Sequence, residues 1–171
     1  MAEINDPGTP AQGSLRRWRV ADWGPLGWIE TVLKLGGVAV GVAALLATLG
    51  ESADGPSGAR LAQVIVLGLL SVGLVAAIAD RIADREIIGV VFVLAMNLGH
   101  WCMTVALARD GDLAGHLVAF AGLMLAGDLV KLVFLRTTGF RVRDISPAVV
   151  YGLTGTYALG YAALLLLQTI A

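Results

Sequence analysis

Charge is scarce in this sequence, and lysine is scarcer still. Only 15% of the 171 residues are charged, where a soluble domain carries roughly a quarter. Of the twelve cationic residues just two, Lys34 and Lys131, are lysines. A net charge of −1 leaves no global field to attract nucleic acid or acidic substrates. The single cysteine, Cys102, excludes a disulfide within the chain. No H-E-x-x-H, P-loop or G-x-S-x-G pattern occurs, so zinc-protease, P-loop nucleotide and serine-hydrolase chemistry lose their usual signatures.

Apolar residues fill the space that charge leaves. They make up 57% of the chain, and the mean hydropathy is +0.81. They fall into five blocks, at about 26–49, 61–79, 87–108, 113–135 and 147–170. Each block approaches the ~20 apolar residues that a helix needs to cross a bilayer. The joints between them, ESADGPSGAR, DRIADRE, RDGD and RTTGFRVRDIS, are charged or rich in turn formers. Continuous apolar runs satisfy their own backbone only as helices, since barrel strands alternate polar and apolar positions. The expected fold is an all-α integral membrane protein, a bundle of five transmembrane helices forming one domain over 26–171.

Two segments precede the bundle. Residues 1–14 are small, polar and proline-containing, and read as a disordered tail. Residues 15–28 mix Trp18, Trp23 and Trp28 with Arg16, Arg17 and Arg19, a composition that suits the lipid headgroup layer.

Arginine sets the expected orientation. With the N-terminus in the cytoplasm, Arg16, Arg17, Arg19, Arg81, Arg85, Arg136, Arg141 and Arg143 fall inside, and only Arg60 and Arg109 fall outside. This asymmetry obeys the positive-inside rule. Five spans then carry the C-terminus to the outer side. Abundant Ala, Gly, Val and Leu, with arginine preferred over lysine, suit a GC-rich bacterial genome and hence a bacterial inner membrane.

Both lysines lie inside apolar blocks, each with a carboxylate on its own helical face: Glu30 before Lys34, and Asp128 before Lys131. With block 1 running outward and block 4 inward, a rise of ~1.5 Å per residue puts Glu30 and Lys131 at one depth, roughly 5–8 Å from the cytoplasmic boundary. Lys34 and Asp128 share a second depth, roughly 10–13 Å in. If the two helices touch, Glu30 meets Lys131 and Lys34 meets Asp128. Buried charges in a membrane are costly, so they face the bundle interior and pair. A stripe of Glu30, Lys34, Gly37, Gly41, Ala44 and Thr48 on block 1, with its G-x-x-x-G spacing, supports an inward face.

A second polar stripe runs down block 3 through Asn97, His100 and Thr104, and block 5 presents Thr154, Tyr157 and Tyr161 at the same helical spacing. The two sets overlap in depth and are candidates to line a small polar pocket. A bis-histidine haem is not expected, because His100 lies ~12 Å and His116 only ~5 Å below the outer boundary. No metal, no cofactor and no nucleic acid is implied. The expected partners are the lipid bilayer and either other membrane subunits or further copies of this chain.

Three function classes remain open from sequence. One is a non-enzymatic bundle, an accessory subunit or small ligand-binding protein, with Glu30, Lys34, Asp128 and Lys131 as its buried cluster. Another is a small, oligomeric transporter or channel that uses the same four groups for coupling. The last is an intramembrane enzyme acting on a lipid or quinone, with His100 as its base.

Overall fold

The computed structural model describes residues 24–50, 55–56, 58–83, 87–109, 112–138 and 146–170. The tail 1–14 and residues 15–23 of the Trp/Arg segment lie outside the described residues. All the secondary structure among the described residues is helical: α1 (Pro25–Ala47), α2 (Gly58–Ala83), α3 (Ile87–Ala108), α4 (Ala114–Thr138) and α5 (Pro147–Thr169). Each holds a segment long and apolar enough to cross a membrane.

The helix ends follow local chemistry. Pro25 and Pro147 occupy the first turns of α1 and α5, where a fixed φ helps and a missing N–H costs nothing. Ser146 caps α5, its hydroxyl accepting from the backbone N–H of Val149 at 3.3 Å. The largest departure from the apolar blocks is α2, which continues past the expected end at 79 to Ala83. Helical hydrogen bonding does not stop where hydropathy falls. The stretch of α2 apolar enough to span a membrane ends at Ile78.

The five helices close into a ring. α1 packs on α3 and α4, α2 packs on α3 and α5, and α4 packs on α5, so the order around the ring is α1, α3, α2, α5, α4. Contacts fix the relative directions. Lys34 meets Asp128 while Gly37 meets Met124, so α1 and α4 run antiparallel. Gly41 meets Gly99 while Thr48 meets Arg109, so α1 and α3 run parallel.

Polarity is distributed for an apolar solvent. Leu69, Val72, Leu159 and Leu166 each leave about two thirds or more of their surface exposed (65–73%). Lys34, Gln63, Ser71, His100, Asp128 and Thr154 are buried. Such an exposed apolar surface would drive association in water, whereas hydrocarbon is its natural surround. The core between the helices is built from Leu67, Met103, Leu117, Phe120, Met124 and Leu164, all essentially inaccessible.

Helix α1 is wedged tightly into the ring. A Cβ on Gly41 would collide with the backbone carbonyl of Gly99, and one on Gly99 would stand 2.8 Å from the Cα of Val38. A Cβ on Gly37 would stand 2.9 Å from Cε of Met124 on α4. The small-residue stripe therefore serves two partners, with Gly41 admitting α3 and Gly37 admitting α4. Lys34, Gly37, Gly41 and Ala44 are buried, and Thr48 is 1% exposed, so the stripe faces inward as its spacing predicts.

Candidate functional site

Lys34 is the centre of the charged site. Helix α1 delivers it to the interior on the same stripe as Gly37 and Gly41, and Gly127 on α4 leaves room for its stem. A Cβ on Gly127 would lie 2.9 Å from Cγ of Lys34. The ammonium donates to Oε1 of Glu30 at 2.8 Å, one turn back on its own helix. It also lies 2.8 Å from Oδ1 of Asp128 across the seam. The side chains of Lys34 and Asp128 are 7% and 6% exposed, so this is a buried ion pair joining two helices.

Lys34 meets Asp128 across the seam as expected. Glu30 reaches Lys34 one turn along its own helix. The reason is geometric: a side chain four residues away on one helix is already within reach, and one ammonium has donors for both carboxylates. Lys131 stands one turn beyond Asp128 on α4, half-buried and close enough to act on it electrostatically. Oδ2 of Asp128 is buried and has no hydrogen-bond partner among the described residues.

The second stripe is only partly assembled. Nδ1 of His100 lies 2.7 Å from the carbonyl of Met96, and Nε2 lies 2.7 Å from the Tyr161 hydroxyl on α5. A carbonyl only accepts, so Nδ1 carries a proton. In the neutral ring Nε2 then accepts from the tyrosine. Phe120 of α4 stands edge-on to the imidazole, with ring centroids 5.2 Å apart, so α3, α4 and α5 converge on this histidine. His100 has no exposed surface.

The other members of the stripe look elsewhere. Tyr157 turns away from His100 and donates to the backbone carbonyl of Leu70 on α2 at 2.8 Å. Thr104 and Thr154 donate to carbonyls four residues back on their own helices, His100 and Val150. Oδ1 of Asn97 is buried without a hydrogen-bond partner among the described residues.

The two stripes lie close enough inside the ring for their charges to act on one another. Lys34 lies within electrostatic range of His100, and Asp128 within range of the Tyr157 and Tyr161 hydroxyls. Reading helices one at a time hides this, because it depends on α1 sitting between α3 and α4.

Sequence reasoning passed over several groups. Ser71 on α2 is fully buried, and its hydroxyl has no hydrogen-bond partner among the described residues. Gln63 near the start of α2 donates to Oε1 of Gln168 near the end of α5 at 3.2 Å. Arg109 donates through Nε to the carbonyl of Thr48 at 3.0 Å, tying the end of α3 to the end of α1. Ser71 was visible as a lone hydroxyl in an apolar block. The acceptors of Arg109 and Tyr157 are backbone carbonyls, which no side-chain pattern displays.

Among the described residues no three His, Cys, Asp or Glu side chains are grouped to hold a metal ion. No family model, curated protein or solved structure matches the chain.

Proposed function

We propose that this chain is a non-enzymatic, polytopic protein of a bacterial inner membrane that binds a small ligand within its helix bundle, alone or as an accessory subunit. Its N-terminus lies in the cytoplasm and its C-terminus outside, a reading supported by the arginine distribution. The candidate ligand groups are Glu30, Lys34, Asp128 and Lys131. One observation carries the binding role: beside the Lys34 ion pair, Oδ2 of Asp128 is buried with no hydrogen-bond partner among the described residues. Buried acceptors are normally satisfied, so acceptors left open inside a bundle suit a ligand that brings donors.

An enzyme is the weaker reading. His100, its only base, has both ring nitrogens engaged and no exposed surface. Purification in lipid nanodiscs followed by mass spectrometry tests the binding role. A small molecule or partner subunit is expected with the wild-type protein and is expected to be depleted from Asp128→Asn. Recovery of the chain with bulk lipid alone contradicts it.

Transport is a second reading, favoured by one observation: a single lysine is shared by carboxylates on two helices. Such a cluster changes partners when the helices shift. Lys131→Met in liposomes is then expected to abolish substrate-dependent flux, and unchanged flux removes the cluster from any transport role.

A further inference from the structure

The open oxygen of Asp128 raises a question of ligand size. Within the candidate membrane spans Glu30 and Asp128 are the only carboxylates, and Asp128 is the only aspartate. Its two oxygens are treated differently. Oδ1 is 2.8 Å from the Lys34 ammonium, whereas Oδ2 is buried with no hydrogen-bond partner among the described residues. An unsatisfied carboxylate oxygen in an apolar interior is costly, and whatever completes it must fit the space available.

That space is small at the seam. Added methyl groups on Gly37 or Gly127 would stand 2.9 Å from Met124 or Lys34, so the α1–α4 contact is close-packed at these two positions. A dehydrated metal cation needs a shell of several ligands, and no trio of His, Cys, Asp or Glu is available among the described residues. A proton needs neither room nor a shell.

From this geometry we infer that Oδ2 of Asp128 is a proton-binding position, loaded and unloaded inside the bundle while Oδ1 remains on Lys34. The inference rests on the reading of this cluster as a binding site and names its smallest ligand. Loading forms one O–H bond at Oδ2, with the proton taken from water and returned to it, and the carboxylate passes from one negative charge to none. The groups that face this carboxyl are Glu30 and Lys34 from α1, Lys131 from α4 itself, and Tyr157 and Tyr161 from α5. His100 of α3 stands behind Lys34. With Glu30, Lys34, Asp128 and Lys131 all ionised the four charges cancel, and loading leaves one net positive charge. The proton thus changes the charge of the cluster without breaking the link between α1 and α4.

Infrared difference spectroscopy on the full chain in nanodiscs, stepped in pH, reads the site directly. The expected result is a carbonyl stretch of a protonated carboxylic acid in apolar surroundings. It should exchange slowly in D2O, shift when aspartate side chains carry 13C, persist in Glu30→Gln and vanish in Asp128→Asn. If Asp128→Asn does not fold, Asp128→Glu provides the second arm, since its band should lose sensitivity to the aspartate label. Absence of a slowly exchanging band throughout the range where the protein stays folded overturns the inference, as does a band that survives in Asp128→Asn. A band that responds to NaCl at fixed pH assigns the oxygen to an alkali cation and also overturns it. The nanodisc mass spectrometry is independent, so a ligand found there without this band sinks the proton and leaves the binding role standing.

Discussion

Gly41 on α1 and Gly99 on α3 meet backbone to backbone, so closely that a Cβ on Gly41 would collide with the Gly99 carbonyl. This contact sets α1 deep in the ring and brings Lys34 into range of His100. Backbone contact of this kind, made possible by small residues, is a main source of helix association where the solvent is itself apolar.

Gly41→Ala is accordingly expected to destabilise the bundle by about 1–3 kcal/mol, the usual cost of overpacking. Gly68→Ala and Gly122→Ala meet nothing within 4 Å. They should be neutral or gain up to ~1 kcal/mol from helix propensity. Unfolding by SDS titration from mixed micelles separates the two classes, and equal effects at all three glycines would contradict the close approach.

The His100–Tyr161 hydrogen bond fixes a tautomer. In nanodiscs, 15N solid-state NMR should show His100 protonated at Nδ1, with Nε2 the acceptor. Tyr161→Phe should change the Nε2 shift while costing only about 1 kcal/mol of stability, the scale of an interhelical hydrogen bond in a membrane. A ring protonated only at Nε2 would rule out the hydrogen-bond assignment.

Tyr157 and Gly73 form a coupled pair. The hydroxyl that donates to Leu70 occupies the place a Cβ on Gly73 would take. Gly73→Ala should therefore destabilise the wild type by about 1 kcal/mol through loss of that bond, yet cost much less in a Tyr157→Phe background. Additive effects in the double variant would show that the hydroxyl does not sit there.

Orientation is open to a direct check. An alkaline phosphatase fused after residue 170 or within 51–57 should be active on the outer side, and one fused within 139–145 should be silent. The opposite pattern would invert the topology without touching the helix packing.

How much of this was legible in the sequence varies with the physics of each feature. The five helices were legible because a span needs a long apolar run, and such runs leave little ambiguity. Lys34 opposite Asp128 was legible because antiparallel helices at known depths bring particular residues level. Glu30 beside Lys34 was legible as a pair four residues apart on one helical face. The convergence of Lys34, Asp128, His100 and Tyr161 on one interior was not legible. It depends on ring order, which short loops leave open. Ser71 escaped because a single hydroxyl in an apolar block usually bonds back to its own helix, as Thr104 and Thr154 do.

The pairing of Lys34 with Asp128 is best tested by a double-mutant cycle with Lys34→Met and Asp128→Leu, read as unfolding free energy in mixed micelles. Lys34→Met strands the buried Asp128 carboxylate and also takes the ammonium from Glu30, and should lose about 3–5 kcal/mol. Asp128→Leu leaves Lys34 on Glu30 and should lose less. The double variant should lose less than the sum, because the stranded Asp128 charge is gone and the loss at Glu30 is common to both Lys34→Met backgrounds. Additive losses, or single variants as stable as the wild type, would mean that these residues do not hold α1 to α4.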